Sequence, residues 1–337
     1  MYEMTTACTK ILWNALASSG VRLEGLSSSI ASIPADLAAG KRIQLAVVYE
    51  LFGEVERITC NPDVGLIAYG YAHPTIWDPF MYCLLSAPTL GVALERMVKY
   101  HSLISPGTHL FVDRGQANTL RLCGLELGPP LAPRSFIDAG AVLILALLRW
   151  LVPNQNITPL RIELTYPSPS CTNKLVQYFG PRLMFGASSN SIFFCASILE
   201  FQLPSADEAL DKLLVERADL LVQEMHKGST AAKVRRYLIE CWSTQGQVHR
   251  RASMTDTAEH LGISVKLLRN SLAREATNFK EISDECRLKL AYNYLRKSTR
   301  SLKYIALTLG FSDLSSFHKA CLRWFKMSPD RFRNFTN

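Results

Sequence analysis

Several signatures of membrane, secreted and metal-binding proteins are missing from this 337-residue sequence. The longest apolar run, AVLILALL at 141–148, stops at Arg149 and is far shorter than the roughly 20 residues of a membrane span. No basic segment followed by an apolar run stands at the N-terminus, so no secretory signal is expected. The nine cysteines are scattered without a CxxC pair, which favours reduced thiols. We therefore expect a cytoplasmic protein that does not associate with membranes.

Catalytic motifs are also missing. The sequence contains no GxSxG, no phosphate-binding GxxxxGK and no GxGxxG. None of the seven histidines is spaced with a Cys, Asp or Glu as metal ligands are. We therefore expect no enzymatic activity, no cofactor and no metal site.

The charge, by contrast, is unevenly distributed. Residues 228–337 contain 20 Lys and Arg against 9 Asp and Glu, a net charge of +11, whereas residues 1–227 contain 17 against 20. Positive charge concentrated in one region favours a polyanionic partner for that region, although a solvated basic surface has the same composition.

Residues 1–204 mix helical and strand patterns and are predicted to form an α+β domain. Residues 11–60 are mostly helical in pattern with a break at 32–41, and an amphipathic helix is predicted near 89–104 and an apolar helix at 135–152. Period-two alternation predicts strands at 108–114, 119–127 and 160–167. Segments 182–188 and 191–199 have the pattern of a hairpin with Ser189 and Asn190 as its turn.

A linker helix is predicted for residues 205–229, opened by Pro204 and a capping box of Ser205 and Glu208. A short heptad-like seam runs along it through Leu214, Ala218, Leu221 and Met225. This seam either packs on the helix's own domain or joins two copies in a homodimer. From residue 230 to 337 the pattern is entirely helical.

Two segments of this region have the pattern of a helix-turn-helix. Such a corner needs a small residue where the helices cross, a glycine in the turn and a cap for the second helix. The first corner has Ala258, Gly262 and Ser264. The second has Ala306, Gly310 and Phe311, with Ser312 or Asp313 as the cap. A helix at 279–298 joins the two units.

The second helix of each unit carries the candidate DNA contacts. We expect Leu314, Phe317, Cys321 and Trp324 to face inward in the second unit. The outer faces would then present polar and basic side chains to a major groove. These candidates are Ser264, Lys266, Arg269, Asn270 and Arg274 in the first unit, and Ser315, Ser316, His318, Lys319 and Arg323 in the second.

Residues 231–335 resemble the DNA-binding domain of the AraC/XylS family of bacterial transcription regulators. The resemblance is densest in IALTLGFSDLSSFHKACLRWFKMSP at 305–329. The N-terminal part is similar to the effector domain of the subgroup that contains the ornithine-utilisation regulator, through NPDVGL, LLSAPTLGVALERMVKYHSL and YFGPRLMFGASSNSIFFCASILEFQLPSAD. Together the two similarities cover nearly the whole chain.

This resemblance implies an activator that binds double-stranded promoter DNA, works with RNA polymerase and responds to an effector bound by its N-terminal domain. Control through dimerisation or a protein partner, without a small molecule, is the alternative. An effector pocket could be lined by aromatic and polar side chains, namely Tyr69, Tyr71, His73, Trp77, Tyr82, His101 and His109.

The sequence departs from the family pattern at several positions. Lys266, Asn270 and Lys319 stand where arginine is common, and Cys321 takes a site that is usually a larger apolar residue. Ala276 and Lys326 replace glycines near helix ends. Because lysine lacks the bidentate fork of arginine, we expect these changes to alter base readout more than the fold.

Overall fold

The computed structural model describes residues 3–23, 26–72, 80–104, 108–114, 118–126, 132–187, 189–226, 229–243, 252–297 and 300–336. Contacts between residues divide the chain into two compact units, one up to Val222 and one from Gln223 onwards. The first unit is α+β and the second is helical, as the sequence predicts. His73 and Trp77 lie outside the described residues.

In the first unit, helices pack on a five-stranded sheet and enclose an apolar core. A two-stranded ribbon of β1 (Glu3–Met4) and β2 (Ile43–Gln44) lies apart from that sheet. Its helices are α1 (Thr6–Ala17), α2 (Ser28–Ala31), α3 (Ile33–Ala38), α4 (Leu45–Thr59), α5 (Phe80–Leu85), α6 (Leu90–Tyr100), α7 (Arg134–Leu151), α8 (Asn173–Phe179) and the part of α9 (Glu208–His226) up to Val222, and short 3₁₀ segments cover Val64–Tyr71, His101–Leu103 and Ala196–Glu200. The predicted break at 32–41 is therefore shorter than expected, because α3 lies within it.

The main sheet has the strand order β3, β4, β7, β5, β6. Its strands are β3 (Thr108–Arg114), β4 (Thr119–Glu126), β5 (Arg161–Leu164), β6 (Leu183–Phe185) and β7 (Asn190–Cys195). The antiparallel register aligns Leu110, Gly124 and Asn190 in one row across three strands. Two positions along each strand, and therefore on the same face of the sheet, Leu122, Ile192 and Ile162 form another row.

The predicted hairpin of 182–188 with 191–199 is wrong. Strand β6 pairs in parallel with β5, and β7 pairs with β4 and β5 instead. After β5, the chain passes through α8 and returns as β6, parallel to β5. It then continues to β7, which pairs with β5 on the side opposite β6. A local turn signal does not specify which strand a segment will join.

Helix α9 begins later than predicted and packs on the first unit. Asp207, not Ser205, caps it, since its Oδ1 accepts the N–H of Leu210 at 2.8 Å, while the Ser205 hydroxyl donates to the carbonyl of Leu85. Asp211 forms a two-point ion pair with Arg96 of α6, with Nη2 to Oδ2 at 2.6 Å. Asp219 of the same helix accepts the Tyr100 hydroxyl at 2.9 Å.

The second unit is built around α13, which packs against α10 and α16. Its helices are α10 (Thr230–Ser243), α11 (Met254–His260), α12 (Val265–Arg274), α13 (Phe279–Lys297), α14 (Leu302–Thr308), α15 (Leu314–Phe325) and α16 (Pro329–Thr336). Buried Glu285 of α13 pairs with two cations. Its Oε2 lies 3.0 Å from the Nε of Arg235 of α10, and its Oε1 lies 2.6 Å from the Nζ of Lys289. Because burial isolates these charges from water, loss of either cation would leave Glu285 underpaired.

Candidate DNA-binding surface and effector cavity

The two corners of the second unit have the same local geometry. Gly262 and Gly310 have φ angles of +66° and +72°. Ala258 and Ala306 are each only 1% exposed. Because a side chain larger than alanine would separate the crossing helices, both corners need a small residue there.

Backbone hydrogen bonds close each corner in the same way. The N–H of Ile263 donates to the carbonyl of Ala258 at 3.0 Å, and that of Phe311 donates to Ala306 at 3.0 Å. Each bond satisfies a carbonyl at the end of the first helix, in the manner of a glycine-terminated helix end. Phe311 is half-buried, with its ring 5.4 Å from that of Phe317.

A side chain caps the start of each second helix. The Ser264 hydroxyl accepts the N–H of Leu267 at 3.1 Å. Asp313, not Ser312, caps α15, because its Oδ1 accepts the N–H of Ser316 at 2.7 Å. Donation from the Ser312 hydroxyl and then from the Ser316 backbone holds the pKa of Asp313 below its ordinary value. The Ser316 hydroxyl also donates to Asp313, so this residue supports the cap.

The first exposed face lies on α12. Leu268 and Leu272 are buried, and they fix the orientation of the helix. The opposite side exposes four of the predicted contacts together with the N-cap serine, namely Ser264, Lys266, Arg269, Asn270 and Arg274. This face combines three cations with one amide, which are the groups that bind phosphate and base edges.

The second exposed face lies on α15. Ser315, Lys319 and Arg323 are exposed, whereas Ser316 and His318 are half-buried. Phe317, Cys321 and Phe325 form the buried side, as predicted for the first two. The prediction that Leu314 faces inward is wrong, since it is 38% exposed. Asp313 is the cap, so Leu314 is the first helical residue, and the buried side begins three positions later at Phe317.

Two contacts that the sequence did not reveal support the second corner. The Arg287 guanidinium of α13 lies 4.8 Å from the Trp242 ring and 5.0 Å from the Phe311 ring, and its Nε donates to the carbonyl of Leu309 at 2.9 Å. A Cβ atom at Gly310 would lie only 3.1 Å from Nε1 of buried Trp242. Gly310 is therefore required for space as well as for its backbone angle.

Arg323, a predicted DNA contact, already has a partner. Its Nη2 lies 3.0 Å from the Oδ2 of Asp284 on α13, and its side chain is 58% exposed. A phosphate that binds Arg323 would therefore compete with Asp284. An exposed pair of this kind contributes about 0.2–1 kcal/mol, so the competition is modest.

The end of α12 is tied to the start of α10. The Glu275 carboxylate accepts the N–H groups of Thr230 at 2.6 Å and Ala231 at 3.0 Å, together with the Ser229 hydroxyl at 2.8 Å. Burial opposes ionisation of Glu275, but these donors outweigh it and lower its pKa.

Ala276, where the family pattern has glycine, has a φ of +53°, and Lys326 has +57°. Both replacements therefore occupy left-handed backbone positions that favour glycine.

The first unit contains an apolar cavity of about 170 Å³ between α7 and the main sheet. The row of Leu110, Gly124 and Asn190 forms part of its wall together with Leu164 of β5, and α7 contributes Gly140. Further lining residues come from the N-terminal segment, α1, α4 and the end of α6, including Met4, Cys8, Leu12, Tyr49, Met97 and His101.

The predicted effector residues whose side chains the structure describes do not all lie at the cavity. His101 lines the cavity, but Tyr69 and Tyr82 are not among its described lining residues. The Tyr69 ring packs 4.9 Å from the Tyr178 ring and its hydroxyl accepts from Arg149, while Tyr82 is 40% exposed. Tyr71 is half-buried against the core. His109 lies in β3.

Comparison with known proteins agrees with both units. A family model described as the arabinose-binding domain of AraC transcription regulator, N-terminal, matches residues 20–203, and a helix-turn-helix domain model matches residues 257–334. The chain belongs to the AraC family of transcription regulators. It is a DNA-binding regulator, and the prediction that it is not an enzyme agrees with its family. The recognition of this family from the sequence is confirmed.

Named relatives cover nearly the whole chain. An ornithine utilization regulator of Pseudomonas aeruginosa is 23% identical over 331 residues, which is 97% of this chain and 95% of that protein. An uncharacterized HTH-type transcriptional regulator of Mycobacterium tuberculosis is 24% identical over 342 residues, covering 96% and 94%. The crystal structure of the transcriptional regulator CdpR from Pseudomonas aeruginosa is 20% identical, with a TM-score of 0.45 and coverage of 97% and 98%.

The described residues contain neither a membrane-spanning helix nor a cluster of metal ligands. Among the residues with described structure, no helix combines the length and apolar character that crossing a bilayer requires. Within the same residues, no group of three or more His, Cys, Asp or Glu side chains could hold a metal ion.

Proposed function

We propose that this AraC-family protein is a cytoplasmic activator that binds one asymmetric promoter site and responds to an effector in its N-terminal unit. The observation that carries the DNA-binding part is the pair of matching corners, each followed by an exposed polar and basic helix. Because Lys266, Arg269 and Asn270 differ from Ser315 and Lys319, the two halves of the site should differ in sequence. The site should cover roughly 17–20 base pairs, or two successive major grooves.

The length of α13 supports this arrangement. Its 19 residues span about 28 Å at 1.5 Å per residue. One turn of B-DNA is about 34 Å long, so a rod of this size suits two units on one face of a duplex.

The proposed contacts fall into two groups. The first group contacts base edges and consists of Lys266, Arg269, Asn270, Ser315 and Lys319. The remaining predicted residues contact phosphate or position the helix, and these are Ser264, Arg274, Ser316, His318 and Arg323. Arginine and lysine near the end of a helix reach the backbone more readily than the bases, whereas hydroxyls already used in caps have less freedom to read sequence.

Selection of genomic fragments by the full-length protein tests this proposal. Wild type and an Arg269→Ala, Lys319→Ala double variant are each incubated with fragmented DNA at about 150 mM salt, a concentration that suppresses non-specific binding. We expect wild type to recover one asymmetric motif that the double variant does not. A Lys10→Ala, Lys212→Ala variant removes two exposed charges from the first unit and serves as a control. Recovery of no motif, or of the same motif by the double variant, would contradict the proposed recognition helices.

The similarity to the AraC family supports the control and activation parts of the proposal. An effector in the cavity would change the activity of the second unit, and activation would require contact with RNA polymerase. Transcription from the selected promoter with purified polymerase tests the sign of regulation. A higher transcript yield supports an activator, and a lower yield contradicts it.

A second candidate is control by dimerisation, with no small molecule. The predicted seam is not available as a whole, because Ala218 is 1% exposed and Leu214 packs against the core of its own unit. However, α9 exposes Leu210, Leu213 and Leu220 at 48%, 65% and 48%. Sedimentation of the full-length protein and of Leu213→Glu distinguishes the candidates. A dimer that the substitution dissociates supports this route, whereas a monomer at all concentrations contradicts it.

A further inference from the structure

We propose that the cavity of the first unit binds a compact, uncharged and largely apolar molecule rather than an amino acid. This inference deepens the proposed effector control, on which its regulatory meaning rests. It is drawn from the lining of the cavity, its size and the position of one helical glycine.

The described lining is almost entirely apolar. Leucine, isoleucine, methionine and phenylalanine side chains form most of it, and none of its described residues is Asp, Glu, Lys or Arg. An amino acid would have to bring an ammonium and a carboxylate into this lining. Without a charged partner, such groups are strongly disfavoured outside water. An uncharged ligand avoids this cost.

A small set of polar groups could fix the orientation of such a ligand. Asn190 stands in the sheet row that lines the cavity, and its Oδ1 accepts the N–H of Thr165 at 2.9 Å. This bond assigns the orientation of the amide, so its Nδ2 group is the donor. Together with the His101 imidazole, Asn190 suits one neutral polar group on an otherwise apolar ligand.

Two glycines line the cavity. Gly124 lies between Leu110 and Asn190 in the sheet row. Gly140 lies within α7 on the other side, and a Cβ atom there would meet no other atom within 4 Å. Glycine weakens the interior of a helix, so its presence at the cavity is consistent with a need for space. A larger side chain at this position would extend into the cavity.

The size of the cavity limits the ligand. A volume of about 170 Å³ is similar to the roughly 150 Å³ of an engineered apolar cavity that binds benzene. Benzene, toluene and indole therefore serve as probes, and L-ornithine serves as a charged amino acid of similar mass.

Calorimetric titration of the full-length protein with these four compounds tests the inference. We expect at least one apolar probe to bind wild type and L-ornithine not to bind. Gly140→Leu should weaken binding of that probe by about ten-fold or more. Gly53→Leu is the matched control, because Gly53 also lies inside a helix, also has no atom within 4 Å of an added Cβ, and is not among the described lining residues.

Each result has a defined meaning. Binding of no apolar probe to wild type, binding of L-ornithine, or equal probe affinity in Gly140→Leu and Gly53→Leu would overturn the inference. If Gly140→Leu does not fold, Gly140→Ala should still weaken indole relative to benzene. If a probe binds as expected but leaves DNA affinity unchanged, the cavity assignment stands and effector control by that probe fails.

Discussion

Replacing Gly310 with alanine should open the second corner for two separate reasons. Its φ of +72° is a left-handed angle that costs a non-glycine residue about 1 kcal/mol or more. The new Cβ would also lie 3.1 Å from Nε1 of Trp242, so this buried ring would have to move by a few tenths of an ångström. Alanine also lowers the conformational entropy of the unfolded chain relative to glycine. This effect favours the folded state and partly offsets these costs. We expect a net loss of about 2 kcal/mol in local stability.

Gly262→Ala is the matched comparison. Its φ of +66° carries the same backbone cost, but a Cβ atom there would meet nothing within 4 Å. We therefore expect a net loss of only about 0.5–1 kcal/mol for this variant. The difference between the two variants isolates the contact with Trp242.

Hydrogen exchange of the full-length protein, followed by peptide mass spectrometry, measures both effects locally. A loss of 2 kcal/mol corresponds to an increase of about 30-fold in the exchange rate of protected amides in α14 and α15. The Gly262→Ala variant should increase exchange in α11 and α12 by only about three-fold. Equal increases in the two variants, or a larger one for Gly262→Ala, would refute the reasoning.

Three further predictions concern the same unit. Ala276→Gly should raise the midpoint of denaturant unfolding by an amount equivalent to about 0.5–1 kcal/mol, because its left-handed φ is relieved; a lower midpoint would contradict this. Glu275 has a lowered pKa in the folded state, so its contribution to stability is present above the ordinary glutamate pKa of 4.5 and is lost as the pH falls through the folded value. A Glu275→Gln variant should therefore show a flatter acid-unfolding profile than wild type. A profile unchanged from wild type would count against the cap. Asp284→Asn should increase DNA affinity by up to about five-fold by releasing Arg323, whereas Arg323→Ala should weaken binding and lower the salt slope by about one. Anisotropy titrations at several salt concentrations measure both quantities. A change in DNA affinity of the same sign and size in the two variants would argue against competition.

The two corners could be predicted because each of their parts has a local cause. Gly262 and Gly310 are needed for a backbone angle, and Ala258 and Ala306 for a close approach. The caps were also readable, although Ser312 and Asp313 were equally suitable from the sequence alone. The orientation of Leu314 was missed for this reason, since the position of the cap determines which residue begins the helix.

Contacts between distant parts of the chain could not be predicted in this way. Glu275 caps a helix 44–46 residues earlier in the sequence, and Arg287 packs on Trp242 and Phe311 from another helix. The pairing of β6 with β5 also depends on the crossover through α8, which a turn signal does not encode.

The candidate effector site was predicted least well. Aromatic and histidine composition identified His101, which lines the cavity, but also Tyr69 and Tyr82, which are not among the described lining residues. A cavity depends on the packing of several elements at once. Gly140 had no distinguishing feature in the sequence, because its importance arises only from the empty space beside it.

The most direct test of the central claim is guanine-N7 methylation interference on the selected DNA motif. Methylation at this atom blocks contacts in the major groove. Two clusters of interference about one helical turn apart are expected, with Arg269→Ala losing sensitivity in one cluster only and Lys319→Ala in the other only. A single cluster, or loss of the same cluster in both variants, would contradict the claim that two helix-turn-helix units read adjacent major grooves.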